Sequence, residues 1–414
     1  MRIQILILGW LLPVLCQAGD GQQVVARYDL SDSGMGDYSE EKGYGLIRGN
    51  PFTDDAFVFA AQLPEGDYQV RVQLLPAKNP EPITIKSESR RLMLFNHQPP
   101  PDKAEIVSFN VNIRTPRLDD GGTVQLNDRE IGVWHWDDRL ELEFHASPGT
   151  VGGITVIPTD SLVTIFIAGD STVTDQPEEP WTAWGQILPV FFGPEVVVAN
   201  YAESGLALST FIGHRRFEKI LESIEPGDFL LIQFGHNDQK EKGDGIGPWE
   251  SYRNRLLEVI ETARSHGALP VLITPMQRRR FDDQDRQFAT LGDFPLVMRR
   301  VAAEEKVPLI DLNQMSATLY AALGPEGTTR AFVHYPAGTF PGQDKPLKDD
   351  THFNPYGGYE LARCIVEGIK LRVPYMARYL KPDIPPFDPA SPDPFGSVNI
   401  PPSKGASFEK PLGN

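Results

Sequence analysis

Leu162-Val163-Thr164-Ile165-Phe166-Ile167-Ala168-Gly169-Asp170-Ser171-Thr172 is the stretch on which the reading of this chain turns. Its apolar half is too continuous for a half-wet strand, so it reads as a strand buried on both faces. It then breaks at a glycine and leaves a serine just past its carboxyl end. Similar apolar runs follow at 196–199, 229–234, 269–274 and 307–312. Helical stripes separate them: Phe217, Ile220, Leu221 and Ile224, then Leu256, Val259, Ile260 and Ala263, then Val297, Val301 and Ala302. Apolar strands alternating with amphipathic helices predict a doubly wound α/β domain on a five-stranded parallel sheet, placed over residues 161–373. Its last helix is expected to begin at Asn354-Pro355, a cap followed by proline, and to run to about Leu371.

Upstream the period changes to two. Tyr68, Val70, Val72 and Leu74 alternate with polar residues, as do Val107, Phe109, Val111 and Ile113, and Leu140, Leu142 and Phe144. Short alternating strands punctuated by Gly, Pro and Asp predict an antiparallel β-sandwich over 19–160. Downstream, 374–414 is rich in proline (Pro382, Pro385, Pro386, Pro389, Pro392, Pro394) and is expected to wrap the surface or lie extended.

The first residues read as an export leader. Arg2 is followed by an apolar run from Ile3 to Cys16, and Cys16-Gln17-Ala18 resembles a cleavage site, which assigns 1–18 to a signal peptide. A lipidated Cys16 fits less well, because Pro13, Val14 and Leu15 are not the small residues that should precede it. The mature protein is thus expected in the periplasm or outside the cell, not inserted in a membrane. Its remaining Cys364, among Leu361, Ile365 and Ile369, reads as a small core hydrophobe. A net charge of −17 argues against a nucleic-acid partner, since no broad cationic field is available for phosphates.

Polar clusters fall where such a sheet would gather them. Ser171 follows the first strand; Asn200-Tyr201-Ala202-Glu203-Ser204-Gly205 follows the second; Gly235-His236-Asn237-Asp238 follows the third. Strands one and three would flank the switch point of a 2-1-3-4-5 order, where α/β sheets bind ligands. The amide of Asn237 either donates into the crevice of Ser171 or caps a helix. Asp349-Asp350-Thr351-His352 precedes the last helix. A serine hydroxyl needs a base, and imidazole is the usual one. On a tight turn, Asp349 can reach Nδ1 of His352 and leave Nε2 for Ser171, with Asp350 as the rival orienter.

In this order, Gly169-Asp170-Ser171, Gly205, Gly235-His236-Asn237-Asp238 and Asp349-x-x-His352 resemble the four blocks of the SGNH (GDSL-type) hydrolase superfamily. Within it, Gly169-Asp170-Ser171-Thr172-Val173, Trp184-Gly185-Gln186, Phe234-Gly235-His236-Asn237-Asp238-Gln239 and Asp350-Thr351-His352-Phe353-Asn354 are similar to rhamnogalacturonan acetylesterases. The segment before them resembles a galactose-binding-like domain. The resemblance implies a serine esterase that removes acetyl groups from a plant cell-wall polysaccharide, rhamnogalacturonan or pectin, with no cofactor and no metal. It implies Ser171 as nucleophile, Asp349 and His352 as its partners, and an oxyanion hole from the N–H groups of Ser171 and Gly205 and the Asn237 side chain. One departure stands out. The loop after Gly205 reads Leu206-Ala207-Leu208-Ser209, where those esterases usually carry an arginine and serines.

Other residues have two readings each. Trp184, with Trp181, either stacks on sugar or belongs to the core. Arg278, Arg279 and Arg280 either meet substrate carboxylates or form a solvated basic loop. His236 is expected to support the Asn237 loop, and Asp170 to shape its turn. Two rival functions are a carbohydrate-binding protein without catalysis and a metal-dependent hydrolase using His236, Asp238, Asp349 and His352. Within the esterase class, xylan and lipid esters are the alternative substrates. The Gly-x-Ser-x-Gly of an α/β-hydrolase is absent.

Overall fold

The computed structural model describes residues 26–30, 35–47, 56–146, 149–160, 162–403 and 409–412. The segment read as a signal peptide lies outside them. No helix among the described residues is long and apolar enough to cross a membrane.

Among the described residues, nine strands form the first part: β1 (Ala26–Asp29), β2 (Tyr44–Ile47), β3 (Ala56–Gln62), β4 (Gly66–Leu74), β5 (Ile83–Ser87), β6 (Arg91–His97), β7 (Glu105–Ile113), β8 (Arg139–His145) and β9 (Val151–Pro158). They pair into sheets ordered β1-β9-β4-β7 and β2-β3-β8-β5-β6, antiparallel throughout. The alternating residues point into one core: Val70, Val72 and Leu74 meet Phe109, Val111, Leu140, Leu142 and Phe144. Fully burying side chains of this size contributes about 1.5–3 kcal/mol each.

The second part alternates strands and helices. Its strands are β10 (Val163–Gly169), β11 (Val196–Asn200), β12 (Phe229–Gln233), β13 (Leu269–Ile273) and β14 (Leu309–Ile310). They are parallel in the order β11-β10-β12-β13-β14, the 2-1-3-4-5 arrangement. Both faces are dry, which is why the strands read as continuous apolar runs. Ile165 and Ile167 face one core with Leu231, Val271 and Ile273, while Phe166 and Ala168 face the other with Leu230, Ile232 and Leu272. The second of these cores is covered by α2 (Leu208–Gly213), α3 (Arg216–Leu221), α4 (Arg253–Ser265) and α5 (Phe294–Glu305). The first is covered by α1 (Trp184–Ile187), α6 (Leu312–Thr329), α7 (Pro355–Arg372) and α8 (Pro374–Ala377). Helix α7 is capped as expected, the Asn354 side chain accepting from the Gly357 N–H.

A two-stranded ribbon not foreseen in the sequence, β15 (Phe332–Tyr335) with β16 (Leu347–Phe353), precedes α7. Beyond α8 the chain wraps back: Phe387, Phe395, Val398 and Ile400 pack on the first core, and Arg363 of α7 donates to the carbonyls of Pro385 and Pro386. Lys86 of the sandwich, buried, holds the Pro401 carbonyl and the Ser403 hydroxyl, each at 2.6 Å.

The sandwich and the α/β part are joined by buried charge. Arg91 meets Asp175 at 2.5 Å with both side chains 1% exposed, and Arg216 of α3 meets Glu130 in the same way. Arg90 pairs with Glu179, and Arg114 donates to the Asn200 carbonyl. Removing one partner of such a buried pair typically costs about 3–5 kcal/mol, because the other charge is left uncompensated.

Candidate active site

Ser171 lies just beyond β10, on a turn closed by the N–H groups of Val173 and Thr174 donating to the Asp170 carbonyl. Its Oγ is 2.8 Å from Nε2 of His352, and Nδ1 of His352 is 2.8 Å from Oδ2 of Asp349. The chain separates Ser171 from His352 by 181 positions; the sheet makes them neighbours. Asp349 and His352 sit on β16 and not on the tight turn expected for them. The ribbon pairs Phe353 with Phe332 and Asp349 with Val333, so residues 350–352 form a bulge. The bulge breaks strand alternation and lets two residues three apart face the same way.

The rivalry between the two aspartates is resolved by what each touches. Asp350 is taken by Arg279, Arg280 and His334. Asp349 accepts from the main-chain N–H groups of Thr351 and His352, from His352 Nδ1 and from Trp181 Nε1. Burial alone would lift its carboxyl, but the His352 imidazole, the Thr351 N–H and the Lys410 ammonium hold it well below the ordinary carboxylate range. It is therefore a standing acceptor that fixes which imidazole nitrogen carries the proton.

The other loops converge on the same place. Gln176 donates to the Ser171 carbonyl at 2.8 Å and reaches the Ser204 hydroxyl at 3.5 Å, tying the serine turn to the loop after β11. Gly205 there has φ +84°, a conformation L side chains rarely adopt. The Asn237 amide donates to the Leu206 carbonyl at 3.0 Å and its oxygen accepts from Lys240 at 3.1 Å, which fixes its orientation and leaves one N–H unspent among the described residues. His236 is a support, held between Asp170 Oδ2 and the Met276 carbonyl. Asp170 accepts from the Thr172 N–H and hydroxyl, as turn chemistry requires.

Some expected contacts are not made. Trp184 is fully buried with Nε1 on Gln233, so it is core and not a sugar platform. Arg278 is buried against the His236 carbonyl, and Arg279 braces Asp350, Pro325 and Thr328; these cations hold loops together and are spent there. The metal-site reading is dispersed too, since His236 and the Asp349–His352 pair have separate partners. Among the described residues, potential metal ligands gather in a group of three at Glu130, His135 and Glu203. Both carboxylate oxygens of Glu130 are already taken, by Trp136 and by Asn127 and Arg216.

Two features gave no signal in the sequence. A cavity of about 610 Å³ adjoins Asp349, with Trp181, Lys345, Lys348 and Lys410 in its lining. Residues 410–412 also pass over the site: the Lys410 ammonium is 3.5 Å from Asp349, and a Cβ on Gly205 would come within 2.9 Å of Leu412.

Asp238 offers a measurable consequence. Burial lifts its carboxyl to about 7. One oxygen accepts from the Leu208 N–H and the other has no hydrogen-bond partner among the described residues. Between 3.8, its ordinary value, and about 7 the folded chain keeps a proton that the unfolded chain has lost, so stability falls as pH rises through that window. Asp238→Asn should melt above the parent at pH 8 and lose that advantage at pH 4. Calorimetry showing an equal difference at both pH values would rule the account out.

The GDSL-like Lipase/Acylhydrolase family model matches residues 167–358, the span holding Ser171, Gly205, Asn237, Asp349 and His352. The Rhamnogalacturonan acetylesterase RhgT of Bacillus subtilis (strain 168) is 42% identical over 210 residues, which is 50% of this chain and 90% of that protein. The chain belongs to the GDSL-like lipase/acylhydrolase family. It is a carboxylic ester hydrolase. The Probable rhamnogalacturonan acetylesterase YesY from the same organism is 35% identical over 50% of this esterase and 92% of its own length. The Uncharacterized esterase YxiM, also from Bacillus subtilis, is 25% identical over 83% of this esterase and 80% of its own length.

Proposed function

We propose that this esterase removes acetyl groups from an acidic plant cell-wall polysaccharide, rhamnogalacturonan or a related pectin, by a Ser-His-Asp mechanism. The observation that carries the proposal is the unbroken relay from Ser171 Oγ through His352 to Asp349, at 2.8 Å in each step. Ser171 Oγ attacks the acetyl carbonyl carbon as His352 Nε2 takes its proton. The developing oxyanion accepts from the N–H groups of Ser171 and Gly205 and from the Asn237 amide. His352 then protonates the departing sugar oxygen, and the acetyl–enzyme ester forms. Water, giving its proton to His352, releases acetate and restores Ser171.

Support for the substrate class comes from the names carried by RhgT and YesY. The lysines around the cavity beside Asp349, in a chain of net charge −17, suit a polymer bearing carboxylates. Export through the leader read at residues 1–18 would bring the enzyme to a polymer too large to enter a cell.

Acetate release from acetylated rhamnogalacturonan, homogalacturonan and xylan tests the assignment. Fastest release from rhamnogalacturonan is expected, and release from xylan alone would overturn it. Asn237→Ala should fold normally and lose roughly 10²–10³-fold in kcat, the usual effect of removing one side-chain oxyanion donor. Steady-state kinetics showing parental kcat would take Asn237 out of the mechanism.

A further inference from the structure

We propose that Arg91, on the β5–β6 hairpin of the sandwich, is a positioning residue that holds together the two loops supplying the main-chain oxyanion donors. The proposal rests on the reading of Ser171 as nucleophile, and goes beyond it by making the sandwich part of the catalytic centre.

The hairpin tip is shaped to reach across. Glu88 and Arg90 have φ of 52° and 65°, left-handed values that a non-glycine residue keeps only where its surroundings demand them. The tip delivers two guanidinium groups to the segment after Ser171. Arg90 donates to the carbonyls of Gln176 and Trp181 at 3.1 and 2.9 Å and pairs with Glu179. Arg91 Nε donates to Oδ2 of Asp175 at 2.5 Å.

Asp175 is the junction. Its other oxygen accepts from Asn200 Nδ2 at 2.9 Å. That same amide donates to the Val173 carbonyl, and its oxygen accepts from the Ala202 N–H. One carboxylate thus links residues 171–176, which begin with the Ser171 N–H, to residues 200–205, which end with the Gly205 N–H. Arg91, Asp175 and Asn200 are each 1% exposed, so water cannot solvate the carboxylate in place of the guanidinium. Without Arg91, Asp175 either stays charged with only the Arg114 guanidinium left near it, or takes a proton and weakens as an acceptor for Asn200. In both cases the loops lose their common anchor.

The test uses the full chain with Arg91→Met, Arg91→Lys and the double variant Arg91→Met/Asp175→Asn. A fluorophosphonate probe, which phosphonylates the active serine with loss of fluoride, counts competent sites, so that kcat is expressed per titrated site. Arg91→Met is expected to lose roughly 10- to 100-fold in kcat per site, as small displacements of reacting groups do, with KM on p-nitrophenyl acetate nearly unchanged. Arg91→Lys, which keeps the charge, and the double variant, which removes the stranded carboxylate, should each recover part of the loss. Parental kcat per site in Arg91→Met would overturn the proposal whatever its melting temperature. Should that variant fail to fold, parental kcat per site in both other variants would overturn it equally. Ser171→Ala run alongside keeps the two readings apart: turnover surviving there defeats the nucleophile assignment, whereas an inactive Ser171→Ala beside an unimpaired Arg91→Met defeats this proposal alone.

Discussion

Ser171→Ala is expected to lose at least roughly 10⁴-fold, and up to about 10⁶-fold, in kcat for acetate release while keeping its fold. The size follows from how the group works. On the mechanism proposed above, deleting the hydroxyl removes the nucleophile outright, and His352, held at 2.8 Å from it, then has nothing to activate. The donors proposed for the oxyanion remain, so a small residual rate above that of water should persist. The substitution breaks the hydrogen bond between the hydroxyl and His352, but the Ser171 carbonyl still accepts from Gln176, so the turn has no reason to collapse. Circular dichroism with a coupled acetate assay reads both halves of the statement. A folded variant keeping more than about one per cent of parental turnover would exclude Ser171 as nucleophile.

Asp349→Asn should come next, at roughly 10⁴-fold in kcat with KM little changed. The substitution preserves shape, and the retained oxygen can still accept from the N–H groups of Thr351 and His352. What changes is the atom facing Nδ1. An amide NH₂ there is a donor, so the imidazole must turn its lone pair toward it and place its proton on Nε2. The nitrogen that faces Ser171 then has no lone pair to receive the serine proton. The neighbouring Asp350 cannot substitute, because Arg279, Arg280 and His334 hold it. Separate determination of kcat and KM decides: a loss under about tenfold would mean that Asp349 does not set the tautomer.

The parallel sheet was readable because its strands are buried on both faces, so each reads as an uninterrupted apolar run. The ribbon β15–β16 was not. Leu347-Lys348-Asp349-Asp350-Thr351-His352-Phe353 has no apolar alternation, and it is extended because Phe332–Tyr335 pairs with it. Helix α6 escaped for a different reason: Gly324-Pro325 interrupts it, and Gly324 is non-helical within it. The catalytic candidates were legible as residue types at strand ends, a local signal. Their electrostatic partners were not, because they are distant in the chain. Arg91 and Asp175 lie 84 positions apart, and Arg280 meets Asp350 across 70. From the sequence Arg278, Arg279 and Arg280 looked like unspent charge, since nothing nearby shows which acceptors will meet them.

The ionic seam between the two parts limits how this protein can be dissected or recombined. RhgT aligns with half of this chain and the family model begins at residue 167, which invites trimming the gene near residue 161 to obtain a minimal catalyst. Such a fragment would carry Asp175 and Arg216 without Arg91 and Glu130, exposing to solvent a surface whose buried ion pairs are completed across the cut. A hybrid that borrows a sandwich from another esterase meets the same obstacle unless residues 87–91 and Glu130 travel with their counterparts. The unit of exchange in laboratory shuffling is therefore the matched set of ions, wherever the apparent domain border falls.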